Sequence, residues 1–370
     1  MNIRYELLSK DRRKNPPAKV ETYGQERTNH VFLADYKEGR WQDPRIVPYD
    51  SAINNLKPGS VCLHYGQTVF EGAKAFLHPD GEIYAWRFDK NAARLNESAE
   101  IIVMPRIPED LQMESCLRLL DLERAFCPAE RDSAMYIRPF MFGTQDNLGA
   151  KPSETYTFCI MLSPSAALVK DGFTSGMSML ISTRYHRAVS GGTGAAKTGG
   201  NYAASLRPAQ FAYAHGAAQV LYLDASNTYI EEGGVMNHYH VLADGTFIIP
   251  SFSDSMLRSV TSLSVLELAQ LGHLKARQER VAIQDFISGV KSGEIIEAGC
   301  LGTAAVISPV TKYLFEDESE MVVGNGQVGK HSRALYELYV GMQTGQAAAP
   351  QGWLHRVGRY VHDLPQGDAR

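Results

Sequence analysis

The chain has 370 residues, of which 44% are hydrophobic and 21% charged; these values are close to the average for globular proteins, and the length suggests two domains. A formal net charge of −4 excludes the basic surface that binds nucleic acid, and no apolar run approaches the roughly 18–20 residues of a membrane span. The five cysteines are scattered without a C-x-x-C spacing, so neither a disulfide framework nor a metal site is expected. We therefore expect a cytoplasmic protein with small-molecule partners.

The first half of the chain predicts an α+β arrangement. The first thirty residues are polar and contain prolines, so we expect a surface arm. The predicted elements that follow are strands at 30–36 and 61–72, a hairpin at 73–88, helices at 89–104 and 108–126, and strands at 134–144 and 155–163. The letters HPDG place a turn inside the hairpin, and Asp89 is the expected N-cap of the first helix.

A segment rich in small residues, SPSAALVKDGFTSGM (163–177), is the best candidate for a linker. The predicted boundaries are 1–165 for a small domain, 166–176 for the linker and 177–370 for a large domain. The second half then predicts strands at 178–186, 219–224, 228–231 and 238–249, helices at 201–215, 256–271 and 329–344, and shorter elements leading to 294–310. Residues 343–352 are expected to form a solvated loop.

The stretch SGGTGAAKTGGNY (190–202) differs from a nucleotide-binding loop, G-x-x-x-x-G-K-[ST], at one position. Lys197 and Thr198 are in register, but Ala196 stands where bare backbone should approach a phosphate. A nucleotide loop also needs a helix that begins at its lysine. Two glycines follow Thr198 and oppose helix initiation, so we expect the helix to begin near Asn201 and the nucleotide interpretation is disfavoured.

The second interpretation treats Lys197 as a covalent amine. A lysine in a glycine-rich, uncharged surround is desolvated, which favours the neutral amine that forms Schiff bases with carbonyl compounds such as pyridoxal phosphate. On this stretch alone, an ordinary solvated loop lysine would be the simpler interpretation. The rest of the chain decides between them.

Further motifs occur in a fixed order between residues 60 and 310. They are HYGQTVFEGAKAF (64–76), ARLNESA (93–99), YIRPFMFGT (136–144), GAAKTGGNYAASL (194–206), EEGGVMN (231–237), MLRSVTSLSVLELA (256–269) and CLGTAAVISPV (300–310). With these seven motifs the chain resembles the branched-chain amino-acid aminotransferases, which are fold type IV pyridoxal-phosphate enzymes. The resemblance implies a small α+β N-terminal domain and a larger C-terminal β-pseudobarrel with helices, with the cofactor between them.

The resemblance also implies roles for residues around pyridoxal 5′-phosphate. Lys197 would form the Schiff base and then shuttle a proton. Glu232 would pair with the pyridine nitrogen; it is preferred to Glu231 because it lies five residues before Asn237. Tyr202 would hydrogen-bond the 3′ oxygen. The phosphate would be bound by Arg94, chosen over Arg87, by the backbone amides of Met256 and Leu257 at a helix N-terminus, and by the hydroxyl of Thr303.

For the substrates, the resemblance implies transamination of Leu, Ile or Val with 2-oxoglutarate, giving branched 2-oxo acids and L-glutamate. An apolar pocket for the branched side chain would be formed by Tyr65, Phe70 and Tyr136. Arg138 would bind the second carboxylate of glutamate or 2-oxoglutarate, and the backbone of Thr303 and Ala304 would receive the α-carboxylate. In the family Tyr65 and the loop around Leu148 complete the partner subunit's site, so a homodimer is expected.

Some positions depart from the family's motifs. Val235 replaces a hydroxyl side chain of some members, Asp254-Ser255 replaces a proline-glycine pair, and Leu168 replaces a linker aromatic residue; these departures concern substrate preference. Ala305 and Ser308 stand where animal enzymes have a redox C-x-x-C. Three alternatives stay open from the sequence: another type IV enzyme (a D-amino-acid transaminase or an aminodeoxychorismate lyase), a nucleotide-binding protein, and a family scaffold without catalysis.

Overall fold

The computed structural model describes residues 2–166, 173 and 175–361. Contacts divide the chain into two compact units: unit 1 comprises Met1–Leu168, Lys197–Gly199 and Gly341–Arg370, and unit 2 comprises Val169–Ala196 and Gly200–Val340. Most of the predicted linker, including Leu168, lies outside the described residues, and the domain boundaries drawn from the sequence stay a prediction. In the part of the chain that the structure describes, no helix is long and apolar enough to cross a bilayer.

The regular elements are numbered in chain order. The strands are β1 (Arg4–Tyr5), β2 (His30–Lys37), β3 (Arg40–Pro48), β4 (Thr68–Phe70), β5 (Ala73–Leu77), β6 (Ile83–Trp86), β7 (Ala134–Gly143), β8 (Tyr156–Ser165), β9 (Met177–Ser182), β10 (Gln219–Leu223), β11 (Ile230–Gly233), β12 (Met236–Leu242), β13 (Phe247–Pro250), β14 (Ala276–Glu279), β15 (Ile295–Gly302), β16 (Val306–Leu314), β17 (Glu320–Val322) and β18 (Leu354–Arg356). The helices are α1 (Val61–Tyr65), α2 (Phe88–Ile101), α3 (Glu109–Leu122), α4 (Gly199–Ala214), α5 (Val260–Gln270), α6 (Ile283–Ser292) and α7 (Lys330–Gln343).

Unit 1 is a mixed sheet with α2 and α3 on its apolar face. Its strands pair in the order β1-β3-β2-β8-β7-β5-β6-β18. Residues of both helices, such as Leu95 and Leu119, share one buried apolar cluster with sheet residues such as Phe158. β18 pairs with β6, so the C-terminal segment clusters with unit 1, whereas the sequence placed it in the large domain.

Strands β4 and β5 both pair with β7, one after the other along its length. β4 lies opposite residues 140–142, and β5 lies opposite residues 135–137. Glu71 and Gly72 connect the two pairings, and the amide of Glu71 donates to the carbonyl of Pro139 at 2.7 Å. This break in the ladder places Glu71 beside the middle of β7.

Unit 2 is built on a closed barrel. Six strands pair in the order β11-β10-β9-β16-β15-β12, and β12 pairs back with β11 through Glu232 opposite Asn237. The strands β13 and β14 extend from β12, and β17 pairs with β16. The barrel strands and the helix α6 share one buried apolar cluster, which includes Leu221, Phe286 and Tyr313. The predicted fold class, an α+β protein with a C-terminal β-pseudobarrel, is confirmed.

Two strand predictions were wrong, and the strand β3 was missed. Residues 61–72 were predicted as one strand, but they form α1 and then β4, because Gly66 at φ 62° ends the helix and turns the chain. Residues 238–249 form two strands, since Gly245 at φ 84° makes a tight turn between β12 and β13. The strand β3 was not predicted; Asp43 and Pro44 interrupt its apolar pattern.

Two predicted helix caps were also wrong. The helix α2 begins one residue before Asp89; its N-cap residue is Arg87 in the left-handed region, and the Asp89 carboxylate pairs with His355 at 3.0 Å. The helix α4 begins at Gly199, before Asn201. The main chain up to Thr198 is held by strand-like pairing with Val69, so tertiary structure overrides the low helix propensity of glycine there.

Candidate functional site

The main chain at Lys197 is fixed by hydrogen bonds within unit 1. The Lys197 amide donates to the Ser98 hydroxyl at 2.9 Å, and its carbonyl accepts from the Phe70 amide at 3.0 Å. The next residue, Thr198, forms a β-bridge with Val69, and its hydroxyl donates to the Thr68 carbonyl at 2.7 Å. The lysine is therefore tied to strand β4 on one side and to helix α2 on the other.

Aromatic and cationic side chains surround this lysine. Its Nζ lies 5.0 Å from the centroid of the Phe70 ring, and the guanidinium of Arg138 lies 4.9 Å from the same centroid. Arg138 also donates from Nε to the Glu71 carbonyl at 2.9 Å and from Nη2 to the Tyr136 hydroxyl at 3.1 Å. Unit 1 thus brings together Lys197 and three of the predicted substrate residues: Phe70, Tyr136 and Arg138.

Arg94 forms a buried ion pair with Glu71. The Nε and Nη2 atoms of Arg94 donate to the two carboxylate oxygens at 2.6 and 2.8 Å, and Asn91 donates to the same carboxylate at 2.8 Å. Burial of Glu71 acts to raise its pKa, but the charges of Arg94 and Lys197 and the hydrogen bond from Asn91 outweigh it, so the pKa is lowered. Glu71 is therefore ionised at neutral pH.

In unit 2 the glycine-rich stretch before the lysine is packed tightly against residues 253–256. A Cβ at Gly194 would lie 2.3 Å from the Ser255 carbonyl oxygen, so only glycine permits this approach. The Asn201 side chain braces the stretch from the other side, donating to the carbonyls of Thr193 and Ala196 at 2.7 and 2.8 Å. Asn201, which was expected to cap a helix, instead fixes the loop that leads to Lys197.

A small recess opens in unit 2 beside this loop. Its lining residues are Arg187, Ala196, Asn201, Tyr202, Ser205, Glu232, Gly234, Val235 and Leu257. Glu232 is almost fully buried; it accepts from the Leu257 amide at 2.6 Å and lies 3.1 Å from Arg187 Nε. The neighbouring Glu231 does not line the recess and bonds to the Ser255 hydroxyl instead.

The remaining predicted cofactor and substrate residues of unit 2 lie in turns. Met256 and Leu257 precede α5, whose N-cap is Ser259, so they are not in the first helical turn as expected. The Met256 amide donates to the Ser253 carbonyl at 3.3 Å, and the Leu257 amide donates to the Glu232 carboxylate. Thr303 and Ala304 lie in the turn between β15 and β16.

Tyr65 lies apart from these groups. It is at the end of α1, about half exposed, and its hydroxyl donates to the Leu148 carbonyl. The Leu148 side chain is 67% exposed and that of Leu63 is 56% exposed. This leaves three large apolar side chains on one part of the surface of unit 1.

Two charged residues in these clusters were not identified from the sequence. Glu71 lies inside the quoted motif HYGQTVFEGAKAF, where an acid between apolar strand residues is a signal for a buried partner. Arg187 donates from Nη2 to the carbonyls of Gly194 and Ser255 at 2.7 and 2.8 Å. It lies ten residues before Lys197 in a polar stretch, and no sequence signal separates it from a surface arginine.

Comparison with known proteins gives consistent similarities over nearly the whole chain. The family described as Amino-transferase class IV matches residues 68–313. Branched-chain-amino-acid transaminase 1 of Bacillus subtilis is 40% identical over 337 residues, 90% of this chain and 94% of that protein. The branched-chain-amino-acid aminotransferase of Mycobacterium tuberculosis is 40% identical over 342 residues, 91% and 92% of the two chains. The solved branched-chain amino acid aminotransferase of Escherichia coli has a TM-score of 0.72 at 26% identity and covers 89% of this chain and 99% of its own.

The buried pair predicts a pH-dependent loss of stability in Glu71→Gln. Removing the carboxylate charge breaks the buried ion pair of Arg94, so the free energy of unfolding at pH 7 should fall by about 3–5 kcal/mol. Because the pKa of Glu71 is lowered in the folded protein, its contribution is present above the usual value of 4.5 and is lost as the pH falls below it. Urea unfolding at several pH values measures both effects.

The matched control for this prediction is Glu97→Gln, an exposed position on the same helix α2. It should leave the free energy of unfolding nearly unchanged, since exposed ion pairs contribute about 0–1 kcal/mol. A difference between wild type and Glu71→Gln that stays constant from pH 7 to pH 4 would contradict the assignment of an ionised Glu71.

Proposed function

The chain belongs to the class IV aminotransferase family, and on this premise we propose that it transfers the amino group of branched-chain L-amino acids to 2-oxoglutarate. The amino donors are leucine, isoleucine and valine, and the products are the branched 2-oxo acids and L-glutamate. The relatives from Bacillus subtilis and Mycobacterium tuberculosis are named as a transaminase and an aminotransferase of branched-chain amino acids. The observation that carries the proposal is that Tyr202 and Glu232 line one recess with Ala196, the residue directly before Lys197.

The residues of unit 2 fit one end of pyridoxal 5′-phosphate. When bound, this cofactor supplies an aldehyde that takes up the amino group and a pyridine ring that accepts electrons. Glu232 is a buried carboxylate at the recess, suited to hold a proton on the pyridine nitrogen, and the Tyr202 hydroxyl is suited to the 3′ oxygen. The hydroxyl of Thr303 is assigned to the phosphate. The amides of Met256 and Leu257 would bind the phosphate in place of their present acceptors, the Ser253 carbonyl and the Glu232 carboxylate.

The residues of unit 1 supply the amine and the cations. Lys197 Nζ would hold the cofactor and, once the substrate amine has displaced it, take the proton from the substrate Cα. Arg94 is held by Glu71 through Nε and Nη2, which fixes the plane of its guanidinium for the phosphate. The role of Lys197 requires a fixed main chain and a mobile amine, which agrees with the main-chain bonds at this residue.

For the substrates, the aromatic rings of Phe70 and Tyr136 would contact the branched side chain. Burial of each methylene group against such a wall contributes about 0.8 kcal/mol. Arg138 is assigned to the second carboxylate of glutamate and 2-oxoglutarate, because its planar fork suits a carboxylate. The backbone of Thr303 and Ala304 is assigned to the α-carboxylate. We further propose that the protein acts in the cytoplasm.

We also propose that the protein is a homodimer. Tyr65, Leu63 and Leu148 expose apolar surface around one hydrogen bond, and apolar side chains exposed together mark an interaction surface. In the family that the chain resembles, Tyr65 and the loop around Leu148 complete the site of the partner subunit. The same surface would therefore serve both assembly and catalysis.

Replacement of the lysine tests the proposed chemistry. In Lys197→Ala, turnover of L-leucine with 2-oxoglutarate should fall by at least about 10³-fold, because the proton-transferring amine is lost. In the wild type, the absorbance of the bound cofactor between about 300 and 500 nm should disappear with L-leucine and return with 2-oxoglutarate. Lys90→Ala, an exposed lysine of α2, is the control and should behave as wild type. Activity on D-alanine or aminodeoxychorismate, but not on L-leucine, would overturn the substrate assignment.

The role proposed for Arg138 predicts that its replacement affects kcat/KM for L-glutamate more than kcat/KM for L-leucine. In Arg138→Met, kcat/KM for L-glutamate should fall by roughly 10- to 100-fold, because a hydrogen-bonded charge contributes about 1.5–3 kcal/mol. The value for L-leucine should fall much less, since leucine has no second carboxylate. Single-turnover absorbance measurements with each amino acid give both values, and Arg118→Met on α3 is the control. An equal loss for both amino acids would contradict the role of Arg138.

The proposed interface predicts the effect of a charge at Leu148. Light scattering after size-exclusion chromatography should give twice the chain mass for the wild type and a smaller mass for Leu148→Asp, because burial of the new carboxylate is unfavourable. Val322→Asp adds a charge at an exposed apolar position of β17 and should leave the mass unchanged. A wild-type protein with the mass of one chain would refute the homodimer.

A further inference from the structure

The segment before β2 is attached to the end of β8 on both sides of Tyr23. The Ala166 amide donates to the Thr22 carbonyl at 3.2 Å, and the Gly24 amide donates to the Ser165 hydroxyl at 3.1 Å. Further along, the Thr28 amide donates to the Leu162 carbonyl at 3.4 Å. The arm thus continues the pairing of β2 with β8, and Tyr23 has a defined position in unit 1.

Tyr23 meets Tyr136 at this position. Their ring centroids are 5.3 Å apart at an interplanar angle of 70°, an edge-to-face contact. The two side chains are also hydrogen-bonded, and burial, followed by the proximity of Tyr136, raises the pKa of Tyr23. The Tyr23 hydroxyl therefore keeps its proton at neutral pH, and the bond joins two hydroxyl groups, either of which can donate.

The Tyr136 oxygen has little freedom to move. On one side lies the backbone of Gly72, where an added Cβ would be 2.0 Å from this oxygen. On another side lies Arg138, whose Nη2 donates to the oxygen at 3.1 Å. The hydrogen bond between Tyr23 and Tyr136 is a third restraint, so the oxygen that accepts from Arg138 is itself held by the arm.

Arg138 is fixed at two of its donors. Its Nε is bound by the Glu71 carbonyl, and its Nη2 is bound by Tyr136. A guanidinium held at one donor can rotate about its stem, whereas one held at two donors has a fixed plane, and a fixed plane binds a carboxylate at a lower entropic cost. Tyr23 acts on this plane through Tyr136 and not by touching it.

We propose that Tyr23 is a positioning residue that orients Arg138, through the Tyr136 oxygen, for substrates with a second carboxylate. The inference rests on the proposed function, since Arg138 is assigned there to glutamate and 2-oxoglutarate. Through Tyr23, the N-terminal arm takes part in the discrimination between dicarboxylate and branched-chain substrates. Leucine, which has one carboxylate, does not use the plane that Tyr23 sets.

The variant Tyr23→Phe keeps the ring and removes only the hydroxyl. We expect KM for L-glutamate and 2-oxoglutarate to rise about tenfold, the effect of one lost hydrogen bond, while KM for L-leucine changes less than twofold. Binding without turnover should show the same difference: the Kd of glutarate should rise about tenfold and that of 4-methylvalerate should not. Tyr36→Phe, at a tyrosine of β2 that makes an edge-to-face contact with Trp41, is the matched control and should leave all values unchanged.

A double-mutant cycle separates positioning from a general structural effect. If Tyr23 acts through Arg138, then Tyr23→Phe should have no further effect on glutamate in the Arg138→Met background. Equal losses for leucine and glutamate, additive losses in the double variant, or unchanged glutarate binding would each overturn the inference. These outcomes leave the proposed function intact as long as the wild type transaminates leucine, and a wild type without that activity refutes the proposed function itself.

Discussion

The candidate site depends on the main-chain attachment of Lys197 to β4. The Phe70 amide donates to the Lys197 carbonyl, and Thr198 forms a β-bridge with Val69, so the main chain at Lys197 follows β4, the strand that ends at Phe70 directly before Glu71. None of these bonds uses the lysine side chain, so the Cα stays fixed while the amine changes its bonding. β4 is in turn paired with β7, which places Arg138 beside the same segment.

The charged groups around Lys197 in unit 1 and those beside the recess in unit 2 differ in sign. In unit 1, one carboxylate, Glu71, lies among Arg94, Lys197 and Arg138, so cations are in excess and a bound phosphate or carboxylate would offset their desolvation. In unit 2, Glu231 and Glu232 share Arg187, which leaves an excess of negative charge.

The fold class and most long elements were predictable from the sequence because apolar periodicity is a local property. The hairpin at 73–88, the strands at 134–144 and 155–163 and the last helix were confirmed with small shifts. The errors at 61–72, at Asp89 and at Asn201 share a different origin, since each depends on a tertiary contact or a left-handed residue. The partners of Glu71 and Tyr23 were not predictable for the same reason: Arg94 and Tyr136 lie 23 and 113 residues away in the chain.

The replacement of a proline-glycine pair by Asp254-Ser255 exchanges one kind of restraint for another. The Asp254 carboxylate accepts from the Ser190 hydroxyl and the Gly191 amide at 2.8 and 2.9 Å, and these bonds lower its pKa. The Ser255 hydroxyl bonds to Glu231, and its carbonyl accepts from Arg187. Proline restricts a loop by fixing one backbone angle, whereas these side chains restrict it by binding the stretch that leads to Lys197. Because both residues bond within the chain, the replacement bears on the rigidity of the loop that leads to Lys197. Val235, by contrast, lines the recess.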